Sequence, residues 1–149
     1  MVITKYINSY STLWIDFGSD IFIKNKIAVD FFLSGFKDEV NERLVKFYEG
    51  FSTLKSEGFN VDCIAPQAAI YLTVRFDLKG MKTSEGKILS SQSDVTGYIL
   101  NEAKLALVPF NAFGSSNEST WYRLSVGTCN KNEIQEVFAS LRNVLSKLK

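Results

Sequence analysis

Five apolar residues, Val40, Leu44, Phe47, Phe51 and Leu54, fall at alternating steps of four and three, and Gly58 stands just past the last. That spacing puts all five on one stripe of a helix, while Asp38, Glu39, Glu42, Lys46 and Lys55 fall on other faces. Gly58 suits the left-handed position that closes a helix. The pattern predicts helix from Lys26 to Glu57, with Gly35 as a place where it breaks or kinks. A stripe this apolar needs a core to cover.

Past Pro66 the period changes. Ile70, Leu72, Val74 and Phe76 alternate with Tyr71, Thr73 and Arg75, which predicts a half-buried strand. Lys79 to Ser93 reads as a loop, and Asp94 as the cap of a helix to about Lys104. A short strand over Leu105–Val108 stops at Pro109. Asn111 to Thr120 is a second loop, Trp121 to Val126 a strand, and Asn130 with Glu133 a capping-box-like start. Ile134, Val137, Phe138, Leu141, Leu145 and Leu148 make the stripe of a last helix. The expected fold is α+β, a small mostly antiparallel sheet covered by helices. Residues 1 to 25 are rich in aromatics without a clear period and read as partly helical or extended.

Composition excludes several functions. The 149 residues are 46% hydrophobic and carry a net charge of +1, so the chain has no disordered character and no long-range pull toward nucleic acid or anionic lipid. No apolar run is long enough for a membrane span, and the N-terminus lacks the features of a signal peptide. A cytoplasmic location is expected. Histidine is absent, which removes Ser-His and Cys-His pairs and the commonest metal ligand. Cys63 and Cys129 are expected to be buried free thiols, with a disulfide between them the less favoured alternative.

Few residues stand out as chemistry. S-x-x-K occurs at Ser34/Lys37, Ser52/Lys55, Ser84/Lys87 and Ser146/Lys149, a cheap pattern in a chain rich in both residues. Asp77 reads as a turn cap before Gly80, Asp62 as a loop residue, and Arg75 as water-facing. Arg123 differs, because it lies inside a strand between Tyr122 and Leu124. A guanidinium there needs a partner: an internal carboxylate, slightly favoured on the residues alone, or the carboxylate of a ligand, which the planar fork grips with two parallel hydrogen bonds.

From about Val40 onward a set of short segments resembles, in order, the C-terminal small domain of class I and II aminotransferases. Leu54-Lys55-Ser56-Glu57-Gly58-Phe59 is similar to the family's L-x-x-x-G-F helix end. Pro66-Gln67-Ala68-Ala69-Ile70-Tyr71-Leu72 is similar to P-x-G-A-x-Y-x, and Val108-Pro109-Phe110-Asn111-Ala112-Phe113-Gly114 to V-x-P-G-x-x-F-G. Tyr122-Arg123-Leu124-Ser125 is similar to x-R-L-S, and Asn132 to Lys147 to an E-x-I-x-x-A-x-x-R-L ending. Asn111 and Ala68 stand where the family often has glycine.

The resemblance implies an aspartate-aminotransferase-like, fold-type I enzyme using pyridoxal phosphate to move an amino group between an amino acid and a 2-oxo acid. It implies residues 36–149 as the small domain and leaves 1–35 as a poorly matched segment, expected to pack on a missing large domain or to self-associate. It assigns Arg123 to the substrate α-carboxylate and Phe113 to a wall that closes over the substrate, although an aromatic at that spot equally suits a core. The family's Schiff-base lysine lies in S-x-x-K followed by G-x-R-x-G, and none of the four S-x-x-K here has that sequel. The cofactor is therefore expected in the parent enzyme and not on this chain alone. The alternative is a non-catalytic, stand-alone interaction module with the same fold.

Overall fold

The computed structural model describes residues 26–67, 69–127 and 129–149. The expectation for residues 1–25 lies outside the described residues. The chain forms two compact units, residues 1–39 and 40–149. Helix α1 is Lys26–Ser56 and runs through Gly35 without a break. In the first unit, Phe31, Phe32, Leu33 and Phe36 are exposed.

In the second unit the α1 stripe behaves as its spacing requires, with Val40, Leu44, Phe47, Phe51 and Leu54 all buried. The helix closes at Gly58, where φ is +94°. The Gly58 N–H donates to the Lys55 carbonyl at 3.0 Å and the Phe59 N–H to the Leu54 carbonyl at 3.2 Å. These crossed bonds satisfy carbonyls that the helix end would otherwise leave bare, in a conformation glycine adopts freely.

The other elements follow in order: β1 Val61–Cys63, β2 Tyr71–Phe76, α2 Gln92–Ala103, β3 Val108–Pro109, a 3₁₀ turn Phe110–Phe113, β4 Trp121–Ser125 and α3 Ile134–Leu145. The strands form one sheet in the order β1-β2-β4-β3, every neighbour antiparallel. The fold is α+β, as expected. Leu72, Val74 and Phe76 of β2 and Tyr122 and Leu124 of β4 turn to the core. An aromatic chain ties that sheet face to the helices. Phe138 of α3 meets Phe51 edge-on, Phe51 meets Phe76, and Phe76 meets Tyr122, with centroids 5.2, 5.8 and 5.9 Å apart.

Several local expectations are corrected. Asp62 lies in β1, a strand the sequence did not announce because a three-residue strand offers no alternation. The strand expected at Leu105–Val108 pairs only at Val108 and Pro109. Leu105 and Leu107 are buried, but their apolar alternation belongs to a connector, and Pro109 has no N–H to extend the ladder. Helix α2 begins earlier, capped by Ser91, with Asp94 closing a capping box from the third helical position. Helix α3 has no side-chain cap; the Asn130 side-chain oxygen instead accepts from the Asn132 N–H within the turn. Asp77 does not cap its turn through its side chain; its backbone N–H donates to the Asn60 carbonyl. The polar stretch after Lys79 is pinned by a Lys82–Ile88 bridge and by paired backbone bonds between Lys82 and Lys149.

One glycine of α1 is a packing requirement. A Cβ on Gly50 would meet Phe138 ring atoms at 2.3–2.6 Å. That ring packs against Phe47 and Phe51 and would have to shift out of those contacts. Alanine normally favours a helix interior over glycine by about 1 kcal/mol, and overpacking a core costs about 1–3 kcal/mol. Gly50→Ala is therefore expected to destabilise the fold in urea denaturation, and Phe138→Leu, by removing the clashing ring atoms, to reduce the cost of the second change.

Candidate carboxylate-binding site

The antiparallel register sets the site. Thr73 pairs with Arg123, Arg75 with Trp121 and Tyr71 with Ser125. Because side chains alternate, these six residues share the sheet face opposite the core. Arg123 is half-buried on this face. Its guanidinium carbon lies 4.5 Å from the centre of the Tyr71 ring and 4.2 Å from that of Phe113. Both rings are themselves exposed.

These contacts are cation–π attractions, worth about 0.5–1 kcal/mol each at a site open to water. They hold the guanidinium without using its N–H donors. Among the described residues Arg123 makes no hydrogen bond and no ion pair. The internal carboxylate partner favoured from the residues alone is thus not what the structure shows. The acids pair elsewhere: Asp62 with Lys55, Asp94 with Lys87, Glu42 with Lys131, Glu57 with Arg142 and Glu118 with Lys79. Hydrogen bonds from Lys87 and then Ser91 hold the Asp94 carboxyl down at about 2.

Phe113 is not core. It ends the 3₁₀ turn that Pro109 opens, and the turn closes at Gly114, where φ is +88°. The Ser115 N–H reaches back to the Phe110 carbonyl at 3.2 Å, and Phe110 packs edge-on against Phe113. Farther along, the buried Gln92 donates to the Ser119 carbonyl at 2.7 Å, fastening the loop to the start of α2.

Sequence reading missed Tyr71 and misjudged Arg75. Tyr71 is visible in the alternation, but only the register with β4 puts its ring on Arg123. Arg75 is half-buried and not simply water-facing: its guanidinium lies 5.7 Å from the Trp121 ring, and its Nε is buried with no hydrogen-bond partner. Three cavities of about 400, 610 and 260 Å³ open elsewhere, and neither Arg123 nor Phe113 lines any of them.

Cys63 and Cys129 are free and half-buried, not fully buried as expected. Burial, with Asp62 beside it, pushes the Cys63 thiol up to about 11. Burial also raises Cys129. Neither is a poised nucleophile. The described residues contain no cluster able to hold a metal ion and no helix long and apolar enough to cross a membrane.

The family model for class I and II aminotransferases matches residues 9–141. The chain belongs to this family. The match also takes in much of the segment that the motifs left unassigned. A probable aspartate/prephenate aminotransferase of Rickettsia felis is 40% identical over 76 residues, which are 50% of this chain and 18% of that protein. The aspartate aminotransferase of Rhizobium meliloti is 29% identical over 121 residues, 78% of this chain and 28% of that protein. The crystal structure of the aspartate aminotransferase from Rhizobium meliloti superposes with a TM-score of 0.66 at 25% identity, over 79% of this chain and 28% of that one. Tyrosine aminotransferase from Leishmania infantum shares the fold, with a TM-score of 0.56 at 18% identity over 72% of this chain and 24% of that one. The matched region thus spans between a sixth and a third of these relatives' lengths.

The family uses pyridoxal phosphate as its cofactor. The Arg123 face itself does not fit the cofactor. No lysine stands among the strand residues of the Arg123 face. Lys55, Lys79, Lys87 and Lys131 are held in ion pairs with carboxylates.

Two measurements check this geometry. Ring currents from Tyr71 and Phe113 should displace the Arg123 Nε–Hε resonance, and Tyr71→Leu or Phe113→Ala should return it toward the ordinary arginine position, while Gln135→Ala leaves it unmoved. Alkylation of Cys63 should be slow at neutral pH and rise about tenfold per pH unit until the pH nears 11, since only the thiolate reacts.

Proposed function

We propose that this chain acts as the small, substrate-closing domain of a pyridoxal-phosphate-dependent aminotransferase, and that Arg123 binds the substrate α-carboxylate. The observation that carries the reading is an arginine fixed by two aromatic rings with its N–H donors unspent among the described residues. A guanidinium so held presents parallel donors at carboxylate spacing, and a charge-assisted pair of bonds sets orientation as well as affinity. Amino acid and 2-oxo acid share that carboxylate, so one grip serves both halves of the exchange.

Tyr71 and Phe113 then have distinct tasks. Tyr71 rises from β2 and anchors the guanidinium from the sheet. Phe113 stands on a short turn closed by Gly114 and forms the outer wall that keeps water from the carboxylate pair, which strengthens it. When bound, the cofactor supplies the electron sink for amino transfer. In this reading, the lysine and the phosphate-holding groups belong to the rest of the enzyme fold and not to this domain.

Binding to the chain itself tests the reading. Pyruvate is expected to shift the Arg123 Nε–Hε resonance saturably, and Arg123→Lys, which keeps charge but loses the fork, to weaken binding about tenfold, equivalent to about 1.4 kcal/mol. Saturable binding that is unchanged in the Arg123→Lys chain would contradict the assignment.

A further inference from the structure

Among the described residues β1 is one edge of the sheet. Its register with β2 pairs Val61 with Phe76, Asp62 with Arg75 and Cys63 with Val74. Just beyond the strand ends, the Asp77 N–H donates to the Asn60 carbonyl and the Ile64 N–H to the Thr73 carbonyl, each at 2.9 Å. Antiparallel ladders alternate between hydrogen-bonded and non-hydrogen-bonded pairs. Residues 60, 62 and 64 therefore turn their backbone groups toward β2, and Val61 and Cys63 turn theirs outward. Such an edge is a template on which a further strand can pair. A second copy of β1 fits it. Turned antiparallel about Asp62, each copy sets its Val61 against the Cys63 of the other, a self-complementary two-fold contact.

Both outward donors are already spent. The Val61 N–H donates to the Phe59 carbonyl at 2.8 Å. The Cys63 N–H donates to Asp62 Oδ1 at 2.9 Å. That carboxylate is itself fixed, because the Lys55 ammonium bonds both of its oxygens at 2.9 Å. The Lys55 hydrogen bond also holds the Asp62 carboxyl below its ordinary range, so it is charged at neutral pH.

We infer that the Lys55–Asp62 pair is a latch that closes the β1 edge against a second copy of this chain. The inference is independent of the role of Arg123. The carboxylate acts twice. It takes the Cys63 N–H, which leaves the edge with outward carbonyls and no outward donor. In the two-fold pairing it would also face its own copy, and like charges directly opposite on neighbouring strands are unfavourable. Lys55 stands in the last turn of α1, so the strand is guarded from a different element.

Sedimentation equilibrium of the 149-residue chain tests this, read together with hydrogen exchange at the residue 63 amide. Asp62→Ala and Asp62→Val, the second a residue that suits a strand, each free the Cys63 N–H and remove the facing charge. Each is expected to strengthen self-association about tenfold over the unaltered chain, and to slow exchange of the Cys63 amide as concentration rises. Adding Cys63→Pro removes the freed donor. That N–H takes no part in the β1–β2 ladder, so proline leaves the ladder intact and association should return to its starting value. Glu136→Ala makes the same change in net charge from α3 and should leave association where it was. Unchanged association in the folded Asp62 variants overturns the inference. So does an increase that survives Cys63→Pro, which places the contact away from the β1 edge, or one that Glu136→Ala reproduces.

Discussion

The pairing of Thr73 with Arg123 decides what this domain can do. With β2 and β4 in that register, Leu72, Val74, Tyr122 and Leu124 all face the helices, and Tyr71, Arg75, Trp121 and Arg123 all face outward. A slip of β4 by one residue would bury the Arg123 guanidinium and expose Tyr122 and Leu124, at a cost no small fold could bear. The register is thus enforced from the core side, by Phe76 and Tyr122 meeting edge-on and by Phe51 bridging to α3. The chemistry of the outer face is a consequence of packing on the inner one.

The aromatic content serves the two faces differently. Inside, Phe47, Phe51, Phe76 and Phe138 fill the space between sheet and helices so closely that Gly50 has no room for a methyl group. Outside, Tyr71, Phe113 and Trp121 cover no core. Their rings hold guanidinium groups in place by charge–quadrupole attraction, a contact that fixes position and leaves hydrogen-bonding capacity available. A carboxylate partner within the protein would have fixed the arginines as well, but would have spent the donors a ligand needs.

Much of the fold was legible because periodicity is enforced wherever one face is buried. The α1 stripe, its glycine stop and the β2 alternation all follow from that rule. What stayed hidden were features without a period: the three-residue β1, the two-residue pairing of β3 and the extra half-turn of α2 ahead of Asp94. Those depend on which backbone groups find partners across the chain, and no local pattern records that. The site was half legible. Arg123 stood out as a charge among strand residues, and the order of motifs tied it and Phe113 to aminotransferases. Tyr71, Arg75 and Trp121 could not be joined to it, since cross-strand neighbours are set by register and register is a long-range property.

The central claim is that Arg123 is held by aromatic faces so that its fork stays available to a carboxylate. A crystal structure of the chain soaked with pyruvate tests it most directly. The account predicts the carboxylate lying in the guanidinium plane with two parallel hydrogen bonds to Arg123, and Tyr71 and Phe113 still against the guanidinium. A guanidinium turned onto an acid of the protein itself, with pyruvate bound elsewhere or not at all, would contradict it.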